Sequence, residues 1–428
     1  MDKDMYIEQA DYINKSKQEK PAKQEISYTP GSFLSFEEIE KLDKKYVLNT
    51  YNRMPVAFRY GSGEFLYDTE GKEYIDFLSG IAVTALGHAN ADLIEALNRQ
   101  ADLLWHTSNL FYNEQQALLA RALIEVTFPG KVFFCNSGTE ANEAAFKAMR
   151  AYGVSQNPAK VKIIALDKSF HGRSTASMSM TGQEKIHSGF GPLLDNIEYV
   201  PANDIDSLVA AFDETVCGII MEPIQGEGGV VPLQADFLEA ARELAEDYKA
   251  LLVLDEVQTG IGRTGKYFAY QHFPIRPDIL TVAKGLGGGF PIGAAIIAEE
   301  FTDVLKAGMH GSTFGGNHLA CAVGYEVLRS IESHKLLENA EKMGQYLIEK
   351  LKNLPVKAIT EVRGVGLLIG IVLPKKVQAR PLVKEALKHG LVIGRAGENI
   401  LRLAPPLVVR KTTIDRAVEK IHHLLKDI

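Results

Sequence analysis

Between residues 131 and 298 the chain alternates short unbroken apolar runs with stretches of helical periodicity. The runs are KVFFCN (131–136), VKIIAL (161–166), CGIIME (217–222), LLVLD (251–255), ILTVA (279–283) and GAAIIA (293–298). Polar residues do not alternate through them, so each predicts a strand buried on both faces. Helical patterns at 139–152, 204–213 and 235–248 fall between the runs. The expected product is an α/β domain over 81–325, a mostly parallel sheet between helix layers.

The flanks read differently. FEEIEKLDKKYVL (36–48) predicts an amphipathic helix with Ser35 as its cap. Residues 63–80 predict a hairpin turning at Glu70-Gly71. A helix-rich stretch covers 91–127, and 326–353 reads as one long helix. After it come AITEVRGVGLLIGIVL, a helix near 380–389, LVIGRAG, ILRLAPP and a last helix from 412. Such alternation predicts a smaller α+β domain over 326–428, packed with the segment 46–80. Residues 1–45 form a polar extension. Within it, 1–30 fit either a loose tail or a short surface helix.

A length of 428 residues suits two domains, or one large domain with an appendage. The net charge of -7 argues against nucleic acid as a partner. Cys135, Cys217 and Cys321 form no close pair, which fits a cytoplasmic chain without disulfides or a zinc site. No apolar stretch approaches the roughly 20 residues that span a bilayer, and no secretory segment opens the chain.

Two of the runs end in an ionisable residue followed by a glycine-containing loop. These residues are Asp255 and Lys284, 29 positions apart. An acid and an amine at neighbouring strand ends suit a pyridine cofactor: the acid keeps the ring nitrogen protonated and the amine forms a Schiff base. Taken singly, Lys284 is equally a solvated lysine and Asp255 a turn carboxylate. Adjacent strand residues face opposite sides, so only one of Asp255 and Glu256 can face a site. The chain has no GxxxxGK[ST] segment to make Asp255 a magnesium ligand beside a nucleotide.

SGTEAN (137–142) opens a helix, and Ser137, Gly138 and Thr139 make an anion site there. Thr139 is also the expected helix cap. Phe170 and Arg173, in FHGR, can stack on a planar ring and pair with a carboxylate, or serve as core and surface. His171 between them is as readily an orienting residue as an acid–base group, and no proton transfer is assigned to it. GSTFGGN (311–317) is a tight turn or a phosphate cradle for a neighbouring subunit. Arg402 sits on a short apolar strand and needs an acidic partner, from the protein or from a substrate.

Further segments complete a pattern: NTYNRMPV (49–56), DFLSGIAVTALGH (76–88), FFCNSGTEANEAAFK (133–147), SFHGR (169–173), EPIQGEGGV (222–230), LDEVQTGIGRTG (254–265), AKGLGGGFPIGA (283–294), HGSTFGGN (310–317) and ILRLAPPLV (400–408). Together they resemble the class III, omega-amino-acid branch of the fold-type-I pyridoxal-phosphate aminotransferases over roughly 45–425. The wording of GIAVTALGH and TYNRMPV favours the acetylornithine branch.

The resemblance implies a role for each matching position. Lys284 is similar to the Schiff-base lysine and proton shuttle, and Asp255 to the partner of the pyridine nitrogen. Glu256 and Val257 go with the cofactor-binding group. Gln258 lies near the ring phenolic oxygen, and Phe170 stacks. Gly138 and Thr139 hold phosphate, with Thr313 added across a homodimer and Ser312 near the substrate. Arg173 takes the carboxylate at the far end of the amino donor. Arg402 takes the α-carboxylate of glutamate or 2-oxoglutarate, and Glu227 is the gate that neutralises it otherwise. The implied cofactor is pyridoxal 5'-phosphate, and the implied substrates are N2-acetylornithine and 2-oxoglutarate. Tyr51 is either a donor-side residue, which would point to ornithine, or a packed aromatic. Succinylornithine, N-succinyl-diaminopimelate and 4-aminobutyrate are alternative donors. An aminomutase acting on glutamate-1-semialdehyde, and a non-catalytic regulator, are more distant readings.

Overall fold

The computed structural model describes residues 33–428. Of the extension expected over 1–45, residues 1–32 lie outside the described residues. The described residues fall into two units, one ending at Ala57 and one running from Phe58 to Ile428. In the first, the helix Phe36–Tyr46 starts at the expected cap. Ser35 N–H donates to the Glu38 carboxylate and Ser35 Oγ accepts the Glu38 N–H, so two end groups satisfy each other.

The second unit opens with strands β1 (Phe58–Ser62), β2 (Phe65–Asp68) and β3 (Glu73–Asp76). β4 (Gly130–Cys135), β5 (Lys162–Leu166), β6 (Ile197–Val200) and β7 (Val216–Met221) follow, then the short pair β8 (Ile224–Gln225) and β9 (Val231–Pro232). Next come β10 (Leu251–Asp255), β11 (Ile279–Val282) and β12 (Gly293–Ala298). The end of the chain supplies β13 (Glu361–Val365), β14 (Leu368–Val372), β15 (Leu391–Val392), β16 (Gly394–Arg395) and β17 (Ile400–Leu403).

The large sheet has seven strands in the order β4-β12-β11-β10-β7-β5-β6. β12 runs antiparallel to both of its neighbours, and the remaining pairs are parallel. All six apolar runs lie in this sheet. Its seventh strand, β6, is an edge strand reading IEYV, and its charged Glu198 hid it from an apolar pattern. Every residue of β7, β10, β11 and β12 is buried, as runs without polar alternation require. Across one face lies the helix Gly138–Gln156, whose Ala145, Ala148 and Met149 pack with Ile163, Cys217 and Val253. Gly218 permits the close approach, because a Cβ there would lie 2.3 Å from the Met149 sulfur. Each fully buried aliphatic side chain contributes about 1.5–3 kcal/mol, so the strand ends are held by a stiff, dry platform.

β13, β14, β17 and β16 form a four-stranded antiparallel sheet. A second four-stranded sheet runs β1-β2-β3-β15. In it β15 lies parallel to β3, so an early segment is stitched to a late one. The boundary placed at 325/326 falls inside the helix His318–Ser333. The single helix expected over 326–353 is in fact part of two, His318–Ser333 and Leu336–Lys352. They part at Lys335, whose φ of 53° interrupts the helical backbone while apolar spacing continues on both sides. The 91–127 stretch likewise resolves into Ala91–Ala101 and Glu114–Glu125. No helix among the described residues is long and apolar enough to cross a membrane.

Candidate active site

Parallel strands present their carboxyl ends at one edge of a sheet, and ligands bind there in open α/β folds. In this molecule that edge borders a cavity of about 430 Å³. Its walls include Phe170 and His171 beyond β5, Glu222 after β7, Asp255 at the end of β10 and Lys284 after β11. Strand register places Asp255 level with Thr281 and Leu254 level with Met221. Residues scattered over more than a hundred positions of sequence thereby meet.

Asp255 is buried, with hydrogen bonds on both carboxylate oxygens. One carboxylate oxygen accepts the Asn142 amide at 2.7 Å and contacts His171 Nδ1 at 2.7 Å, and the other accepts the Val257 N–H at 3.0 Å. Asn142 also donates to the His171 carbonyl and accepts the Thr281 hydroxyl at 2.7 Å. One amide therefore ties together β10, β11 and the loop after β5. His171 Nε2 is buried without a partner among the described residues.

Glu256, grouped with the cofactor residues from the sequence, faces the other way. Its carboxylate accepts the Ala269 N–H at 2.6 Å, the Tyr270 N–H at 2.8 Å and the Thr259 hydroxyl at 2.9 Å. Strand alternation forces this once Asp255 faces the cavity. Burial pushes the Glu256 carboxyl up to about 7.

Lys284 begins a one-turn 3-10 helix, Lys284–Gly287, with φ 41°. Burial lowers its ammonium below the ordinary lysine value; Glu227 opposes that shift and Arg402 adds to it.

At another wall the helix Gly138–Gln156 begins. Ser137 caps it, accepting the Glu140 N–H at 3.3 Å, while Glu140 accepts the Asn136 N–H at 2.7 Å. The cap thus sits two residues before Thr139, because Ser137 keeps an extended backbone and Thr139 is already helical. The Thr139 hydroxyl instead accepts the N–H groups of Arg173 and Ser174 at 3.2 and 3.3 Å. Two glycines let these walls close. A Cβ on Gly138 would lie 2.7 Å from Val257, and one on Gly172, at φ +141°, would lie 2.2 Å from Thr139 Oγ1. A helix N-terminus with small walls suits a phosphate, and the buried acid suits a ring N–H. With Phe170 and Val257 also lining the cavity, these residues fit a planar pyridine cofactor carrying a phosphate.

Arg402, on β17, is buried. Its Nη1 donates to the Glu227 carboxylate, and to the Gly226 carbonyl and Gln258 Oε1 at 3.3 Å each. Its Nε is buried and has no partner among the described residues. The Glu227 side chain is 31% exposed, so the pair reaches from dry interior toward open cavity. Burial pushes the Glu227 carboxyl up, but attraction and hydrogen bonding from Arg402 outweigh it and hold it below the ordinary value. Arg173 is exposed on the cavity wall, its guanidinium 5.7 Å from the centre of the Phe170 ring.

Three expected residues lie apart from this cavity or outside its unit. Ser312 Oγ accepts the Asn136 amide at 3.2 Å and the Gly315 N–H at 3.0 Å, and it lines a second hollow of about 740 Å³ with Phe133 and His310. Thr313 beside it is exposed. Tyr51 belongs to the unit ending at Ala57 and is 71% exposed, with Arg53 over its ring. Conversely, the sequence reading weighed Asn142 only as a capping residue and passed over Glu222. The signal for Glu222 was present: CGIIME ends in an acid just as LLVLD does.

Known proteins are similar to this chain over most of its length. Residues 46–425 match the family model for class-III aminotransferases. An acetylornithine aminotransferase of Caldanaerobacter subterraneus subsp. tengcongensis is 48% identical over 389 residues, covering 90% of this chain and 98% of that protein. An acetylornithine/succinyldiaminopimelate aminotransferase of Yersinia pestis is 45% identical over 373 residues, 86% of this chain and 92% of the relative. The crystal structure of ornithine aminotransferase from Toxoplasma gondii superposes with a TM-score of 0.88 at 33% identity, over 95% of this chain and 98% of the other. With its mixed seven-stranded sheet, its smaller sheets and a lysine and an acid at neighbouring strand ends, the chain belongs to the class-III aminotransferase family.

Proposed function

We propose that the protein transfers the terminal amino group of N2-acetyl-L-ornithine to 2-oxoglutarate, giving N-acetyl-L-glutamate 5-semialdehyde and L-glutamate in arginine biosynthesis. The observation that carries this reading is the Arg402–Glu227 pair, whose carboxylate lines the same cavity as Lys284 and Asp255. A terminal amine has no carboxylate on its reacting carbon, whereas glutamate has one. A single site that accepts both needs a cation that can be neutralised in one half-reaction and exposed in the other. Names of the relatives support the acetylated donor.

Pyridoxal phosphate, when bound, supplies an electron sink for the carbon that loses its proton. Gly138 and Thr139 would hold its phosphate, Asp255 its ring nitrogen, and Phe170, Val257 and Gln258 its ring and phenolic oxygen. Asp255 is kept in place by Asn142, His171 and the Val257 N–H, so it meets a cationic N–H without rearranging. Lys284, its amine made easier to deprotonate by burial, is the base that would take the proton from the substrate carbon and carry it within the cavity. Arg173 binds the far carboxylate of the donor. Arg402 releases Glu227 and takes the α-carboxylate of 2-oxoglutarate.

A second copy of the chain would complete the site. Tyr112, which lines the same hollow as Ser312, is exposed, as are Leu110 and Phe111 just before it in the chain and Phe314 just after Ser312, a surface that suits burial in a homodimer. Ser312 and Thr313 would then serve the partner's cavity. A second reading, a dual role that includes N-succinyl-diaminopimelate, draws on the name of the Yersinia relative.

The test is a panel of N-acetylornithine, ornithine, succinylornithine, N-succinyl-diaminopimelate and 4-aminobutyrate with 2-oxoglutarate, ranked by kcat/KM. N-acetylornithine is expected to lead, with the succinylated diamine second if the role is dual. A lead for ornithine or 4-aminobutyrate rejects the assignment and makes Tyr51 the residue to vary.

A further inference from the structure

We propose that Glu222 is a positioning residue that holds the Arg402–Glu227 gate closed by anchoring the Gly226 backbone to the Phe170 loop. The proposal rests on the reading of that pair as a gate. Glu222 follows β7, and its side chain is buried in the cavity wall. One carboxylate oxygen accepts the Phe170 N–H at 3.0 Å, and the other accepts the Gly226 N–H at 3.1 Å. The Gly226 carbonyl in turn accepts from Arg402, and Glu227 is the next residue. Both polar groups of one peptide-flanked glycine are thus held, one by each charged side chain.

The Phe170 end of this bridge is the fixed one. His171 N–H donates to the Thr181 hydroxyl at 2.9 Å, and its ring is bonded to Asp255. The two loops also touch lower down. Gln225 donates to the Asp167 carbonyl at 2.8 Å, and a Cβ on Gly228 would lie 2.7 Å from the Lys168 carbonyl. Glu222 extends that contact to the point where the gate begins.

A buried carboxylate is costly without a cation, and Glu222 takes part in no ion pair among the described residues. Burial, with Asp255 adding to it and His171 opposing, pushes the Glu222 carboxyl up to about 7. The two N–H donors, one on each oxygen, account for a side chain with two acceptors in this place. A glutamine there keeps one acceptor oxygen, and its amide nitrogen faces the other N–H. Gly226 then loses its anchor, and Glu227 stays less firmly on Arg402. An unneutralised Arg402 disfavours the half-reaction whose substrate has no carboxylate to offer it. The 2-oxoglutarate half-reaction, which needs Arg402 free, does not suffer.

The test compares wild-type holoenzyme with Glu222→Gln and Glu222→Asp. Single turnovers are measured separately for the best donor of the panel and for 2-oxoglutarate. In Glu222→Gln the half-saturating donor concentration is expected to rise about fivefold, as for loss of one hydrogen bond, while that for 2-oxoglutarate changes less than about twofold. Calorimetric titration with glutarate, an unreactive dicarboxylate, is expected to show tighter binding to the variant, and dialysis an unchanged cofactor affinity. Glu222→Asp, which keeps both acceptors on a shorter stem, is expected to fall between. Equal losses in both half-reactions, or an unchanged donor half with unchanged glutarate affinity, would overturn the proposal. Should wild-type enzyme accept no terminal amine at all, the functional reading fails, and the glutarate titration still judges the bridge.

Discussion

Asn142→Ala is the most direct probe of how this site holds its acid. It removes one of the three donors on the Asp255 carboxylate and leaves His171 and the Val257 N–H in place. A hydrogen bond to a charged group contributes about 1.5–3 kcal/mol. If that loss falls on the hold that Asp255 has in the transition state, kcat/KM drops by about 10- to 160-fold. The variant also strands the Thr281 hydroxyl and the His171 carbonyl in a dry interior, so its melting temperature falls too. Asn142→Asp separates the two effects. It preserves shape but sets a second carboxylate where 2.7 Å once separated an amide from Asp255. Its activity is expected to fall further than that of Asn142→Ala. The assay is steady-state kcat/KM for the donor at saturating 2-oxoglutarate, with the cofactor dissociation constant measured alongside. Folded variants within about twofold of wild type on both measures would refute the account of Asp255.

Lys284→Ala is expected to lower turnover by at least about a thousandfold. The melting temperature of the cofactor-free protein should hold, since both residues carry a Cβ at the same positive φ; near-normal turnover would sink the assignment. Arg402→Ala is expected to harm the 2-oxoglutarate half-reaction more than the donor half, and equal losses in single turnovers would count against its role. Glu256 gives a pH test. Its carboxyl is raised from 4.5 to about 7 in the folded chain, so its contribution to stability is complete below pH 4.5 and is lost as pH rises through 7. The loss is about 3 kcal/mol over that window. Glu256→Gln should therefore flatten the decline in urea midpoint between pH 5.5 and 8; a slope equal to wild type would contradict it.

The central strands were legible because burial on both faces leaves only apolar residues, and a run of them cannot hide. β6 was not, because an edge strand tolerates Glu198 and offers no such run. The break at Lys335 escaped notice because backbone conformation, not side-chain polarity, makes it. Asp255 and Lys284 could be found as charged residues closing apolar runs. Which of Asp255 and Glu256 faces the cavity could not, since alternation states that they differ but not how. Asn142 was hidden more deeply. Its partners Thr281, His171 and Asp255 come from three other segments, and nothing in SGTEAN announces them.

The strand order has a further consequence for how the chain comes into being. β4 and β5 are neighbours in sequence, yet β12, β11, β10 and β7 lie between them in the sheet. A nascent chain that has released β5 cannot close it against β4. The gap is filled only after residue 298 has left the ribosome, and the strands that fill it are buried along their whole length in the folded chain. Until then their edges are open to any other unpaired strand. A ribosome stalled before β12 would leave an aggregation-prone intermediate rather than a partly active enzyme. Capture of cofactor by chains of increasing length should accordingly switch on late and abruptly, not grow with each strand.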